Sequence, residues 1–211
     1  MLKKYFLLFF IISNFTSFSQ SISVNFFKLS SPEKHWVIFH PFKAKKAFII
    51  SNETLRITDS ISKTNLIDDD INGGQLDAFK HSFWMACLTQ KIGSKSALKL
   101  GDVHEKGNYI SYKKGLNEDG NLPDKISSTM DLFNNKIGSK IAIDNLKITN
   151  KELILFIIEE INNGNMRILK KDNYHNFLNC SGDIISKETL KGKWENDKCL
   201  IPSNSNFKTT N

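Results

Sequence analysis

No segment of this 211-residue sequence is long and apolar enough to suggest a membrane span. Cysteine is scarce, with three in all, which excludes a disulfide-dense scaffold. The basic residues are spread out, and no basic helix or aromatic–basic interleaving is present, so specific nucleic-acid binding is not expected. There is no nucleophile elbow, no glycine-rich phosphate loop and no His-Glu-x-x-His zinc motif, which removes three common routes to hydrolysis. No internal repeat and no second domain can be traced.

What remains is a chain of a size for one domain, with 40% hydrophobic residues and sixteen Phe, enough for a well-filled interior. Its start, "MLKKYFLLFFIISNFTSFSQ", has a positive n-region at Lys3 and Lys4 and an apolar run from Tyr5 to Ile12, too short to span a bilayer. Small residues, Ser17 and Ser19, stand where a signal peptidase reads. This predicts a signal peptide over 1–19, cleaved near Gln20, and export to a periplasmic or secreted location. No Cys stands at the cleavage point, which argues against a lipid anchor. The formal charge of +7 falls to about +5 without the two leading lysines, a modest attraction to anionic groups.

In an oxidising compartment Cys180 and Cys199 can pair around "CSGDIISKETLKGKWENDKC"; two free thiols are the alternative. The closed loop would hold about 20 residues, worth about 3 kcal/mol in the loop-entropy account. Cys87 reads as a small apolar core residue.

Helix signals dominate the organisation. Ser31-Pro32-Glu33 looks like a capped start, and Pro41 opens a second run through Ile61. Gly73-Gly74 precedes a helix over Gln75–Gln90; a third run covers Ser94 to Lys106, and a loop follows to Asp124. Another helix covers Lys125 to Ile143, and Thr149 with Glu152 forms a capping box for a very apolar one after it. A short helical piece is expected from Met166 to Lys171, then an irregular tail. Strand-like alternation is missing, so the fold class is all-α, a single multi-helix bundle behind the signal peptide. The expected boundaries are 20–40 for a linker and short helix, 41–175 for the helical domain with its motif core at 74–140, and 176–211 for a polar tail.

Three of these helices bring polar groups to a buried face. In "QLDAFKHSFWMACLTQ", Asp77, His81 and Trp84 stack along one side of a helix that is apolar nearly everywhere else. In "ALKLGDVHEKG", His104 continues the stripe of Ala97, Leu100 and Gly101; Glu105 flanks it, and Asp102 lies further round. In "STMDLFNNKIGSKIAI", Asn134 falls on the core stripe, with Asp131 and Asn135 on the neighbouring line. A buried charge must pair or bind a metal. Three helices with carboxylates and imidazoles at these spacings suit zinc, manganese or iron, as bundle proteins arrange them. A metal-free acid–base site and a purely structural hydrogen-bonded network are the alternatives.

"LDAFKHSFWMA", "GDVHEKGNY" and "MDLFNNKIG", in this order, resemble an uncharacterised family of bacterial domains found in exported proteins and at the ends of toxin-like chains. Its pattern reads roughly Asp-Ala-Phe-Arg-His-Ala-x-Trp-Asn, then Asp-Ala-His-Glu, then Met-Asp-Leu-His-Asn-Asn. The resemblance covers about Gly74 to Lys140 and implies an all-helical domain of unknown function. It also implies that Asp77, His81, Trp84, Asp102, His104, Glu105, Asp131, Asn134 and Asn135 occupy motif positions. Met85 stands where that pattern has Asn, Phe133 where it has His, and Lys80 where it has Arg. If that His is a ligand or base in relatives, this chain is a degenerate member.

The expectation for function follows. His81, His104, Asp131 and Asp77 would hold a divalent metal, supported by Trp84 and Asn135. Glu105 would be the general base, with Asp102 and Asn134 as further catalytic groups, acting on a phosphodiester or another anionic ester. A non-enzymatic exported module that binds an envelope component is the other reading. "DDDINGG" has calcium-loop spacing at Asp68, Asp70 and Asn72, but Phe79 stands where the loop needs Glu, so it reads as an acidic turn leading into a helix. His35, His40 and His175 are scattered and read as surface or packing residues.

Overall fold

Short-range capping chemistry sets where the helices of this chain begin. The computed structural model describes residue 26 and residues 28–117, 121–145 and 147–205. The expected signal peptide lies outside the described residues. Helix α1, Ser31–Phe39, is capped by Ser30, one residue earlier than expected; Ser30 Oγ accepts from the Glu33 N–H and the Glu33 carboxylate accepts from the Ser30 N–H. Pro41 opens α2, Pro41–Ser62.

The acidic turn before α3, Gln75–Ile92, is a helix lead-in. Asp68 Oδ1 accepts from the N–H groups of Asp70, Gln75 and Leu76, and Asp70 Oδ1 accepts from Asn72 N–H. These bonds satisfy donors that a helix start leaves open.

Helix α4, Ser94–Lys113, runs about two turns past its expected end at Lys106. Gly107 does not break it. A Cβ there would meet Ser30 Oγ at 2.5 Å, so the glycine serves the close approach of α1. The next residue, Asn108, is buried and donates to Glu105. Helix α5, Lys125–Asp144, is capped by Asp124, and α6, Asn150–Asn162, by the expected Thr149–Glu152 box.

The α3 helix is the centre of the bundle, packed against α2, α4, α5 and α6. Phe79, Phe83 and Ala86 face Ile57, Ile141 and Ile157 on one side. Met85 and Leu88 join Trp36, Ala97 and Leu100 on the other. At Gly138 the α5 backbone comes so near α3 that a Cβ would lie 2.1 Å from the Ser82 carbonyl oxygen. Among the described residues no helix is long and apolar enough to cross a membrane.

The helical piece expected at Met166 to Lys171 is instead a strand, β1, Arg167–Leu169. It pairs antiparallel with β2, Leu200–Pro202, setting Arg167 opposite Pro202 and Leu169 opposite Leu200. Between them lie the one-turn helix α7, Lys187–Leu190, and the Cys180–Cys199 disulfide. This C-terminal segment is bound to the bundle rather than trailing from it. Asn134 Oδ1 accepts from Arg167 N–H and its Nδ2 donates to Arg167 O, both at 2.9 Å. Gln75 Nε2 donates to Ser203 O, Leu169 N–H to Gly73 O, and Lys125 N–H to Trp194 O.

Candidate metal centre

Asp77 and His81 sit one turn apart on α3, so their side chains project the same way. Asp131, from the first half of α5, meets them because Gly138 lets the two helices close together further along. His81 Nε2 is 3.5 Å from Asp77 Oδ1 and 3.4 Å from Asp131 Oδ1. One donor atom from each of the three lies within 4.8 Å of the others, and all three residues are buried. Ligand atoms about 2.1 Å from a tetrahedral ion are about 3.4 Å apart, so the His–carboxylate spacings suit a shared ion. The group could hold a metal ion.

The charge state is also suitable. Burial, reinforced by the nearby charges of Lys80 and His104, holds the His81 imidazole well below its usual pKa; the Asn135 amide pulls weakly the other way. This direction favours the neutral ring, the form that ligates metals. Asp77 is fixed by accepting from Gly73 N–H through Oδ2 at 2.9 Å, while Oδ1 pairs with Lys80 Nζ at 3.0 Å.

The other expected site residues divide. His104 is not one of the three clustered residues. Its Nδ1 lies 3.0 Å from Glu33 Oε1, and its ring meets the edge of Trp84. Burial raises the Glu33 pKa, but its bonds to His104 and Ser30 together outweigh that and leave it below the usual carboxylate range. Trp84 donates to Ser51 Oγ. Glu105 is buried and accepts from Asn108 at 3.1 Å.

Asp102 is exposed on α4. Asn134 points into the interior as expected, and both ends of its amide bond the Arg167 main chain, so it anchors β1. Asn135 lies between His81 and Gly101, and a Cβ at residue 101 would come within 3.1 Å of its amide. Phe133 lies under the Arg167 guanidinium, and Met85 packs in the core beside Gly101. Cys87 has its thiol pushed up to about 12, chiefly by burial, which rules it out as a nucleophile at neutral pH.

The three clustered residues line a cavity of about 60 Å³, enough for several waters or one small group. It shares Asn72, Asn121, Leu122, Phe177 and Lys198 with a groove of about 710 Å³. Sequence reasoning did not find Lys80 as a partner of Asp77, nor Phe177, Lys171 and Lys198 beside the site. The last three come from residues some 40 or more positions after Asp131, and no spacing rule could have placed them there.

Residues 34–165 match the family described as "Domain of unknown function (DUF6973)". The chain belongs to this family. No curated protein and no solved structure matches the chain. Asp77, His81 and Asp131 all fall inside the DUF6973 match, whereas Lys198 and Phe177, which face the cavity from the C-terminal segment, lie beyond it.

Proposed function

We propose that this DUF6973 chain is an exported hydrolase of an anionic ester, with a divalent metal held by Asp77, His81 and Asp131. One observation carries the reading. The three donors line a small cavity that adjoins a lysine-lined groove and shares lining residues with it. When bound, the ion would supply Lewis-acid polarisation and a more acidic water.

The chain's own residues do the rest. His81 and the two carboxylates would hold the ion. Lys80 Nζ, 3.0 Å from Asp77 Oδ1, keeps that carboxylate oriented and adds positive charge at the cavity wall. Asp77 and Asp131 are the carboxylates that line the cavity, so proton removal from an attacking water falls to one of them. Glu105 does not line it, and the proposal leaves Glu105 to order α4 through Asn108.

A second reading, a structural polar network without metal in a non-enzymatic module, is favoured by Lys80 itself, a resident cation already on Asp77. Elemental analysis of purified protein, beside His81→Ala and Asp131→Asn, separates the two. The proposal expects near-stoichiometric zinc, manganese or iron, with affinity falling about tenfold or more in both variants. It also expects a chelator to lower the melting temperature of the wild type alone. No uptake after loading with excess ions would leave the network reading standing.

A further inference from the structure

The groove beside the candidate centre has two unlike walls. On the side facing the bundle, two lysines of the C-terminal segment are paired with carboxylates of the bundle. Lys171 Nζ sits 2.5 Å from Asp70 Oδ2, Lys198 Nζ sits 2.5 Å from Asp124 Oδ2, and the two ammonium groups cover the Phe177 ring at 4.7 and 3.8 Å. On the other side, Lys187, Lys191 and Lys193 stand within seven residues on α7 and the turn after it. No ion pair to any of these three is found among the described residues, and one carboxylate, Glu188, shares their wall. These three lysines are exposed and lie within the loop closed by the Cys180–Cys199 disulfide.

We infer that Lys187, Lys191 and Lys193 form an anion seat that takes a second negative group of the substrate, while the reacting ester lies over Asp77, His81 and Asp131. The substrate class is then a small organic ester with at least two anionic groups. This rests on the proposed hydrolytic reading for the reacting end, but the seat itself does not.

Three arguments support it. The groove's volume of about 710 Å³ lies within the range of small-molecule sites. Three clustered lysines against one carboxylate leave a local positive surplus on a concave surface, which attracts anions more strongly than scattered surface charges do. The groove also adjoins the cavity of the candidate centre, with which it shares Asn72, Leu122 and Phe177 as lining.

The test is calorimetric titration of inorganic pyrophosphate into the whole protein, the combined variant Lys187→Ala/Lys191→Ala/Lys193→Ala, and Asp131→Asn. Circular dichroism and intact Cys180–Cys199 serve as folding controls. The expected result is wild-type binding that weakens with added salt, falls about tenfold or more in the lysine variant, and stays within about twofold in Asp131→Asn. Equal binding by wild type and lysine variant, or none by wild type, would overturn the seat. So would a loss in Asp131→Asn as large as that in the lysine variant, because pyrophosphate would then be sitting on the candidate centre. Lysine-dependent binding in a wild type that takes up no metal would keep the seat and sink the hydrolase reading instead.

Discussion

A single glycine sets how closely the two helices that carry the candidate centre approach. Asp77 and His81 come from α3 and Asp131 from α5, so their meeting depends on how closely those helices approach. The approach is tightest at Gly138, where a Cβ would fall 2.1 Å from Ser82 O and 2.7 Å from two further backbone atoms of that residue. Backbone cannot rotate out of the way as a side-chain end can. Gly138→Ala should therefore force α3 and α5 apart. Overpacking of this kind costs about 1–3 kcal/mol, and the shift should be read as a lower urea midpoint at unchanged slope. The gain in helix propensity, about 1 kcal/mol for Gly to Ala in an exposed helix, works in the opposite direction and is the smaller effect here. A midpoint equal to or above that of wild type would show that the helix contact is not as tight as described. If the centre holds metal, the same variant should also lose affinity for it, although residue 138 touches none of the three donors.

Among the larger pieces of structure, the disulfide-closed loop is the one whose stability is held by a tie rather than by burial. Residues Ser181–Leu190 are exposed or half-buried, and α7 has no buried side chain. Cys180→Ser with Cys199→Ser should therefore cost about 3 kcal/mol in the chain-entropy account, read as a lower melting temperature. The loss should fall on the loop first, so limited proteolysis should cut between 181 and 198 while the helices stay protected. Cleavage within α3 or α5 at the same rate would refute that ordering.

The sequence carried much of this architecture because helix signals are local. The Thr149–Glu152 box, Pro41, the acidic turn at Asp68 and the i,i+4 pair Asp77–His81 each depend on residues within a few positions of one another. What it did not carry is contact between distant segments. Gly107 reads as a stop in isolation and becomes a packing residue only when Ser30 lies against it. Met166–Lys171 has no helix or strand preference strong enough to choose, and Asn134, 33 residues upstream of Arg167, chooses for it by binding its main chain. Periodicity placed Asn134 inward correctly, yet a stripe cannot say which neighbour waits there.

Taken whole, the molecule is a helical bundle whose C-terminal segment completes its interior. The family match ends at residue 165, just before that segment. Met166, Ile168 and Leu169 are almost wholly buried against the bundle, and removing them would uncover the core surface they now cover. Each such side chain is worth about 1.5–3 kcal/mol, and polar ties are lost with them. Those ties are the paired bonds of Asn134 to Arg167, the bond from Gln75 to Ser203 O, and that from Ser203 Oγ to Ile161 O. Asn134 and Gln75 are buried, so unless water reaches them each leaves an unsatisfied amide costing about 1–3 kcal/mol. The total approaches the whole stability of an ordinary domain, about 5–15 kcal/mol. A chain cut to residues 34–165 should then lose its cooperative thermal transition while keeping much of its helical circular dichroism, and should bind a hydrophobic dye. A sharp transition within a few degrees of the full protein would mean that the matched segment folds alone. The C-terminal segment would then be an attachment that shapes the groove without holding up the bundle.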